Sequence, residues 1–302
     1  MFDLLIIGAG PAGMSAAIYA ARKKMNFLVI SRDVGGQGSW SFCVENYPGV
    51  RKMSGIKLMK QFRRQLKEYD VKLKDDEAVK SIEKLEKGFR IATDKGSYEA
   101  KTIIITSGKN PKRLNVQGEE KFLGSGVAYC AVCDSPYFKD KDVAVVGGGN
   151  SGLDAVLHLD SYANRIYLIE VLPELNGDPL LVERIQKNDK VKIFTKTKIL
   201  EITGDKTVDG IKIEQSGKEE VLDVQGVFIE TGQIPNTDFI EGLVKLNEFG
   251  EIVVDRGNMT SVQGIFAAGD VTDIPKKQIV VAAGEGAKAL LYAWDYLKRQ
   301  SD

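Results

Sequence analysis

Residues 2–13 read FDLLIIGAGPAG, a short apolar run that leads into a glycine turn. The apolar run predicts a buried parallel strand, and the alanine-rich stretch from Met14 to Lys24 predicts a helix directly after the turn. Residues 27–30 (FLVI) predict the returning strand. This order is that of a βαβ unit whose GxGxxG turn, Gly8 to Gly13, lets a dinucleotide pyrophosphate approach the backbone and the helix N-terminus.

The same pattern recurs once further along the chain. Residues 142–146 (DVAVV) predict a strand, Gly147 to Gly152 a second GxGxxG turn, Leu153 to Asp160 a helix and residues 166–169 the returning strand. We therefore predict an α/β protein with two Rossmann-like, three-layer dinucleotide-binding domains. Other predicted helices lie at 55–69 and 280–297, and other predicted strands at 88–93, 102–106, 191–194, 209–214, 226–230 and 251–254.

Two stretches have the composition of crossover segments between these domains. Residues 107–114 and 232–237 combine glycine or proline with polar residues. We predict that the second domain, residues 112–239, is inserted into the first, which comprises residues 1–111 and 240–302.

Charge and hydropathy exclude several classes of function. The 302 residues include 42 acidic and 42 basic side chains, so no excess of positive charge predicts a nucleic-acid partner. No apolar run approaches the roughly 20 residues of a membrane-spanning helix. The N-terminus lacks the basic region of a signal peptide, so we expect a cytoplasmic protein with no membrane association.

Two of the three cysteines form a CxxC motif, Cys130 to Cys133. A zinc site would need two more ligands, and Cys43 and His158 do not form a partner pair, so no metal is predicted and the motif indicates a redox-active dithiol. Asp134 follows directly and is interpreted either as the group that passes a proton to a departing thiolate or as a turn residue. Cys43 is interpreted as a small apolar filler and His158 as a surface or packing residue.

Glu170 ends the returning strand of the second unit, where a carboxylate accepts hydrogen bonds from ribose hydroxyls and repels a 2′-phosphate. No Arg, Lys or His occurs between Glu170 and Glu183, so the pattern favours NADH over NADPH. The alternative is that Glu170 is a solvated strand end. In the first unit the corresponding position lies near Ser31, with Asp33 close by.

Taken together, these residues resemble the low-molecular-weight thioredoxin reductase family, class II of the FAD-dependent pyridine nucleotide-disulfide oxidoreductases. The resemblance runs through Gly8–Gly13, Gly35–Gln37, Glu45–Gly49, Cys130–Asp134, Gly147–Gly152, Gly264–Asp270 and Lys277–Ala287. It implies FAD on the first domain, a homodimer, a flavin-facing Cys133, a Cys130 that exchanges with a protein substrate, and Asp134 as acid–base. The implied FAD residues are Gly8, Gly10, Pro11, Ala12, Gly13, Gly36, Gln37, Asn46, Gly269, Asp270, Gln278 and Ile279. The nicotinamide dinucleotide would contact Gly147, Gly149, Asn150, Ser151, Gly152 and Glu170.

The chain departs from that family in the stretch after the second returning strand. A His-Arg-Arg cluster is usual there, whereas this chain has Glu170-Val171-Leu172-Pro173, which is similar to the NADH-using flavoprotein subunit of alkyl hydroperoxide reductase. That subunit carries N-terminal thioredoxin-like domains that have no counterpart in this sequence. Trp40 replaces part of a small polar run and is interpreted either as an aromatic over the flavin or as a packing residue.

The resemblance implies a reductase that moves electrons from NADH through FAD and Cys130–Cys133 to a thioredoxin- or glutaredoxin-like protein. Two alternatives stay open at this point. One keeps the dithiol but takes electrons from ferredoxin or a deazaflavin, and the other is a redox-sensing flavoprotein that binds a partner without turnover.

Overall fold

The computed structural model describes residues 1–41 and 44–300, so the interpretation of Cys43 lies outside the described residues. Six α-helices are present among them: α1 Pro11–Arg22, α2 Gly55–Glu68, α3 Ala131–Asp134, α4 Asn150–Asp160, α5 Pro179–Gln186 and α6 Ile279–Arg299. The strands up to the CxxC motif are β1 Phe2–Ala9, β2 Phe27–Val34, β3 Leu73–Lys74, β4 Val79–Lys84, β5 Phe89–Thr93, β6 Ser97–Ile105, β7 Lys109–Pro111 and β8 Val127–Ala128. Those after it are β9 Asp142–Val146, β10 Arg165–Ile169, β11 Val191–Phe194, β12 Thr197–Gly204, β13 Val208–Gln215, β14 Lys218–Asp223, β15 Gly226–Ile229, β16 Gln233–Pro235 and β17 Ile265–Ala267.

The first sheet has the order β3-β2-β1-β6-β5-β4, and β17 pairs with the end of β6. Residues of β1 alternate between two cores because successive side chains of a strand point to opposite faces. Leu4 and Ile6 pack against α1, α2 and α6, whereas Leu5 and Ile7 pack on the other face with residues from the 239–254 segment. Both faces are therefore covered, which explains the unbroken apolar run of residues 4–7.

The second sheet is fully parallel, with the order β11-β10-β9-β15-β8. Val143 and Val145 of β9 face α4, while Ala144 and Val146 face a separate antiparallel sheet of β12, β13 and β14. This unit is also three-layered, but a β-sheet replaces helices on one face. The predicted α/β architecture with two strand–turn–helix–strand units is confirmed.

The two predicted crossover segments lie side by side. Strand β7 pairs antiparallel with β16, with Lys109 opposite Pro235 and Pro111 opposite Gln233. Asn236 strengthens the pairing, since its side chain donates to the Ser107 carbonyl at 2.8 Å and its own carbonyl accepts the Ser107 hydroxyl at 2.8 Å. We call this two-stranded element the crossover ribbon.

One predicted strand is wrong. Residues 251–254 do not form a strand, and Ile252 makes only isolated bridges to Leu246 and Thr272. Ile252 is fully buried by packing on the first sheet, and the other three residues of the segment are half-buried. The segment is held by backbone hydrogen bonds to separate loops, since the Ile252 amide donates to the Val271 carbonyl and the Val253 amide to the Lys245 carbonyl. In addition, Asn247 Oδ1 accepts the Glu251 amide at 2.9 Å.

Candidate active site

A cavity of about 560 Å³ opens at the carboxyl ends of β1 and β6. Its volume is in the range of cofactor sites, roughly 300–1,000 Å³. Both sequence motifs contribute to it, because the first glycine turn and the CxxC motif line the same space. The predicted site residues that line it are Gly8, Gly10, Pro11, Ala12, Gly36, Gln37, Cys130, Cys133, Gly269, Asp270, Gln278 and Ile279.

The first turn is shaped for close approach of a ligand. Gly8 has φ of +105°, and a side chain there would collide with the carbonyl of Thr106. Gly13 packs so tightly that a Cβ would overlap the Gly8 carbonyl oxygen, which explains why it does not itself line the cavity. Gly10, at the N-cap of α1, has no atom within 4 Å of its missing Cβ. The N-terminus of α1 is thus open to an anion such as a pyrophosphate.

The far end of the cavity lies where β2 ends. Ser31, Arg32 and Asp33 line it there, together with residues 77–80. The Ser31 hydroxyl accepts the Ala9 amide at 3.0 Å, and Asp33 accepts the Gly36 amide at 3.1 Å. These two side chains therefore stabilise the turn itself, and Arg32 is the exposed charged group beside them.

Asn46 has a supporting place in the site. Its side chain is exposed and donates to Gln278 Oε1 at 3.0 Å. Gln278 is the N-cap residue of α6, whose first residue, Ile279, lines the cavity. Asn46 therefore positions the start of α6 and does not itself line the cavity.

The CxxC motif closes the opposite end of the cavity. Cys130 and Cys133 form a disulfide with a Cα–Cα separation of 5.4 Å, and both line the cavity. Asp134 is buried, with 2% of its surface exposed, and its amide donates to the Cys130 carbonyl at 3.2 Å. Val132, between the cysteines, is 46% exposed. The disulfide thus lies between the cavity and a solvent-accessible surface.

Two aromatic rings lie beside the disulfide. Trp40 and Tyr129 have ring centroids 6.2 Å apart and planes tilted by 51°. Both line the cavity and, with Cys130 and Asp134, a small neighbouring recess. The Tyr129 hydroxyl donates to Glu119 at 2.6 Å, and burial is the main cause that raises the pKa of the phenol. Trp40 is therefore at the cysteine end of the cavity and also packs on a fixed aromatic neighbour.

The second glycine turn keeps its predicted form. Gly147 has φ of +120°, and a Cβ there would lie 2.5 Å from the Glu230 carbonyl oxygen. Residues 172–178 fold against the turn: the Asn176 amide donates to the Gly148 carbonyl at 3.1 Å, and the Asp178 amide donates to Asn150 Oδ1 at 2.7 Å. Of the described residues that line the first cavity, none belongs to this turn, where Gly147, Gly149, Asn150, Ser151 and Gly152 lie together.

Glu170 lies against this second turn and is buried, with 7% of its surface exposed. Its carboxylate accepts the Gly148 amide at 2.5 Å and the Leu172 amide at 2.8 Å. The interpretation of Glu170 as a solvated strand end is therefore wrong. The two amides fix a negative charge at the position expected for a ribose-binding carboxylate.

Glu230 is a site residue that the sequence motifs do not reveal. It follows β15, and its carboxylate accepts a hydrogen bond from the Ala131 amide inside the CxxC motif. Burial, more than the nearby Asp154, raises the pKa of Glu230 from 4.5 to about 8. Its position as the last residue of the predicted strand 226–230 was the only signal in the sequence. His158, by contrast, is exposed on α4, as predicted.

The described part of the chain contains no cluster of three or more His, Cys, Asp or Glu side chains suited to a metal ion. Within the same residues, no helix is both long and apolar enough to cross a membrane.

Comparison with known proteins identifies the family. The sequence model of the pyridine nucleotide-disulphide oxidoreductase family matches residues 2–286. The chain belongs to this family. Membership implies FAD and a nicotinamide cofactor, and the open α1 N-terminus and the cavity fit a dinucleotide such as FAD.

Solved structures of thioredoxin reductases share the whole fold. The enzyme from Streptococcus pyogenes MGAS5005 is 37% identical with a TM-score of 0.93, and the alignment covers 99% of each chain. That from Giardia duodenalis is 32% identical with a TM-score of 0.89, covering 98% of this chain and 99% of the other. The predicted Rossmann-like thioredoxin reductase fold is confirmed.

Two curated relatives are longer than this chain. A protein named NADH dehydrogenase from Bacillus subtilis strain 168 is 42% identical over 301 residues, which are 99% of this chain and 59% of the relative. The alkyl hydroperoxide reductase of Staphylococcus aureus strain MRSA252 has a subunit that is 40% identical over the same shares. The chain thus spans about three fifths of the length of these relatives.

Proposed function

We propose that this protein is a flavin-dependent disulfide reductase that passes electrons from NADH through FAD to Cys130–Cys133 and on to a thioredoxin- or glutaredoxin-like protein. The observation that carries the proposal is that the disulfide and the first glycine turn line one cavity. A flavin bound there supplies two-electron chemistry next to the disulfide. The fold shared with two thioredoxin reductases supports the same substrate class.

The family resemblance assigns a role to each residue around the disulfide, and their surroundings support it. In this proposal Cys133 faces the flavin ring and Cys130 attacks the disulfide of the protein substrate, since exposed Val132 brings that surface to solvent. Two electrons convert the Cys130–Cys133 disulfide into a thiol and a thiolate, and one proton is taken up. Buried Asp134 is the acid–base that exchanges this proton.

The remaining residues hold the two cofactors. The glycines of the first turn and Pro11 hold the FAD pyrophosphate, Gly36, Gln37, Gly269, Asp270, Gln278 and Ile279 line the rest of the cofactor, and Asn46 supports Gln278. The second turn and Glu170 bind the nicotinamide dinucleotide.

NADH is the proposed electron donor because Glu170 fixes a buried negative charge at the second turn. A 2′-phosphate would meet this carboxylate, and residues 171–182 contain no cation to offset it. One lost charge-assisted pair and one added repulsion are worth about 2–3 kcal/mol, or about 30–150-fold in preference.

Anaerobic flavin reduction tests the donor. Wild-type protein is mixed with subsaturating NADH or NADPH, and the loss of the oxidised flavin absorbance is followed. We expect NADH to reduce the flavin faster than NADPH does. The ratio of the NADH rate to the NADPH rate should be smaller in Glu170→Gln, which keeps the acceptor oxygen but removes the charge. Exposed Glu174→Gln is the control and should keep the wild-type ratio. Faster reduction of the wild type by NADPH would contradict the assignment of NADH.

A second candidate donor is favoured by the place of Trp40. Its indole lines the cysteine end of the cavity, where a nicotinamide would have to meet the flavin ring. If neither nucleotide reduces the flavin while reduced ferredoxin or a reduced deazaflavin does, that donor replaces NADH. Steady-state turnover with a disulfide-containing thioredoxin-like protein then separates either reductase from a redox sensor, which would bind without turnover.

A further inference from the structure

Three charged side chains, Lys109, Lys277 and Asp270, line the cavity, and both lysines contact a fourth, Glu251, which does not line it. Lys109 forms an ion pair with Glu251, and both side chains are almost buried, with 11% and 12% exposed. Lys277 lies 3.4 Å from the same carboxylate, and Asn247 donates to its other oxygen at 2.6 Å. One carboxylate is thus shared between two ammonium groups.

Lys109 lies at the cysteine end of the cavity. It is the first residue of β7 in the crossover ribbon, and its carbonyl accepts a hydrogen bond from the Gln37 side chain. Gln37 lines the cavity and also the recess that contains Trp40, Tyr129 and Cys130. Because the reacting ring of a flavin must lie near the disulfide to exchange electrons with it, the Lys109 wall borders that ring and not the adenosine end.

Anchoring the ribbon does not account for this buried lysine. The ribbon already has its own ladder and the paired Ser107 and Asn236 side chains. A buried ion pair recovers little net stability, because removing both charges from water costs as much as their attraction returns.

Burial acts against the charges of this cluster, and it lowers the pKa of Lys277, with Lys109 adding to that effect. Burial raises the pKa of Asp270, which opposes its ionisation, although the two lysines act against that rise. On Glu251 burial also acts to raise the pKa, but the hydrogen bonds from Lys109 and Asn247 and the charge of Lys277 prevail and lower it. The hydrogen bonds and the nearby lysines therefore favour the ionised form of Glu251, which is the counter-charge that both lysines share.

We propose that Lys109 raises the reduction potential of the flavin bound in this cavity by holding a buried positive charge beside the ring. This inference rests on the proposed function, in which FAD binds in the cavity. When the oxidised ring accepts two electrons and one proton from a hydride donor, it gains one negative charge. A fixed cation stabilises that product more than the neutral oxidised ring, and Glu251 sets how much of the lysine charge the ring experiences.

The test is the midpoint potential of the bound flavin at pH 7, measured by anaerobic equilibration with reference dyes. In Lys109→Gln we expect the reduced form to be disfavoured about tenfold, a fall of about 30 mV for a two-electron couple. Glu251→Gln should shift the potential upward, because the lysines lose their counter-charge. Lys109→Arg should keep a midpoint potential near that of the wild type, because it keeps the positive charge. The control Lys112→Gln alters an exposed lysine of the same crossover and should change nothing.

The opposite signs separate electrostatics from structure, since damage to the ribbon would move both variants the same way. The inference is overturned if Lys109→Gln equals the control, or if Lys109→Gln and Glu251→Gln shift in one direction. If Lys109→Gln does not fold, the midpoint potential of Glu251→Gln still tests the inference: an upward shift supports it, and no shift or a downward shift overturns it. Wild-type protein that binds no FAD would instead refute the proposed function. The absorbance spectrum of the purified protein shows whether FAD is bound before any titration.

Discussion

Cys130 and Cys133 share the cavity, but only Cys130 also lines the recess beside Trp40 and Asp134. This difference agrees with a Cys133 that faces the flavin. In Cys130→Ser the remaining thiolate at 133 would then lie against oxidised flavin, so we expect a long-wavelength charge-transfer absorbance. Cys133→Ser should lack it, while its flavin stays reducible. A spectrum of each purified variant suffices, and a band confined to Cys133→Ser would invert the two roles.

Glu230 gives the molecule a specific dependence of stability on pH. Its pKa in the folded protein, about 8, lies above the ordinary value of 4.5, so the folded state binds more protons between these values. The stability that this group contributes is complete below about pH 4.5 and is lost as the pH rises to about 8. Glu230→Gln should unfold like the wild type at pH 4.5 and become more stable than it by pH 8, by several kcal/mol.

Urea unfolding at a series of pH values measures this difference, with Glu174→Gln as an exposed control. A constant gap between Glu230→Gln and wild type across that range would show that Glu230 does not carry the titration.

At the residue level, the site residues that could be predicted from the sequence are those that lie close together in it. The glycine turns and the CxxC motif could be predicted because each packs its chemistry into a few consecutive residues. The ion pair of Lys109 and Glu251 spans 142 positions, and neither residue belongs to a motif. The burial that raises the pKa of Glu230 likewise depends on neighbours that only the folded chain provides.

At the level of elements, α1 and α6 cross at a glycine. A Cβ on Gly286 would overlap the Ala12 carbonyl oxygen, whereas Gly284, two residues earlier on the same helix, has nothing within 4 Å of that position. Gly286→Ala should therefore destabilise the protein by about 1–3 kcal/mol, because the helices must separate.

Gly284→Ala is the matched control, and helix propensity alone should make it more stable by up to about 1 kcal/mol. Thermal unfolding of both variants measures the difference. Equal melting temperatures would mean that α1 can move away from α6 at no cost. The contact also lies beside the cavity, since Ala12 lines it, so FAD affinity should fall in Gly286→Ala only.

Element boundaries were predictable where hydrophobic period and turn chemistry agree. Strand β11 was predicted at its observed limits, and β13 to within one residue at each end. Residues 251–254 show the opposite case: valine and isoleucine favour a strand, but the segment forms only isolated bridges, and its backbone hydrogen bonds go to separate loops.

For the molecule as a whole, the repeated βαβ pattern was enough to predict two sheets built around parallel strands with helices on them, but not the antiparallel strands β4 and β5 of the first sheet. The antiparallel sheet of β12, β13 and β14 was visible in the sequence only as a strand at 209–214. Strand β14 is largely exposed and charged, and β12 has mostly half-buried side chains with no clear alternation. The distance between the two glycine turns depends on how the two sheets are joined, which no local pattern encodes.

The crossover ribbon has a consequence for how such a chain can be rebuilt. Pro111 and Gln233 are cross-strand partners, so the polypeptide departs and comes back at adjacent points. A two-residue hairpin turn such as Asn-Gly bridges that spacing. Codons 112–232 can therefore be exchanged as one cassette, or replaced by a dipeptide, with a single pair of splice sites. A gene for this protein therefore has two adjacent splice points through which the segment that carries the CxxC motif and the second glycine turn can be exchanged for another.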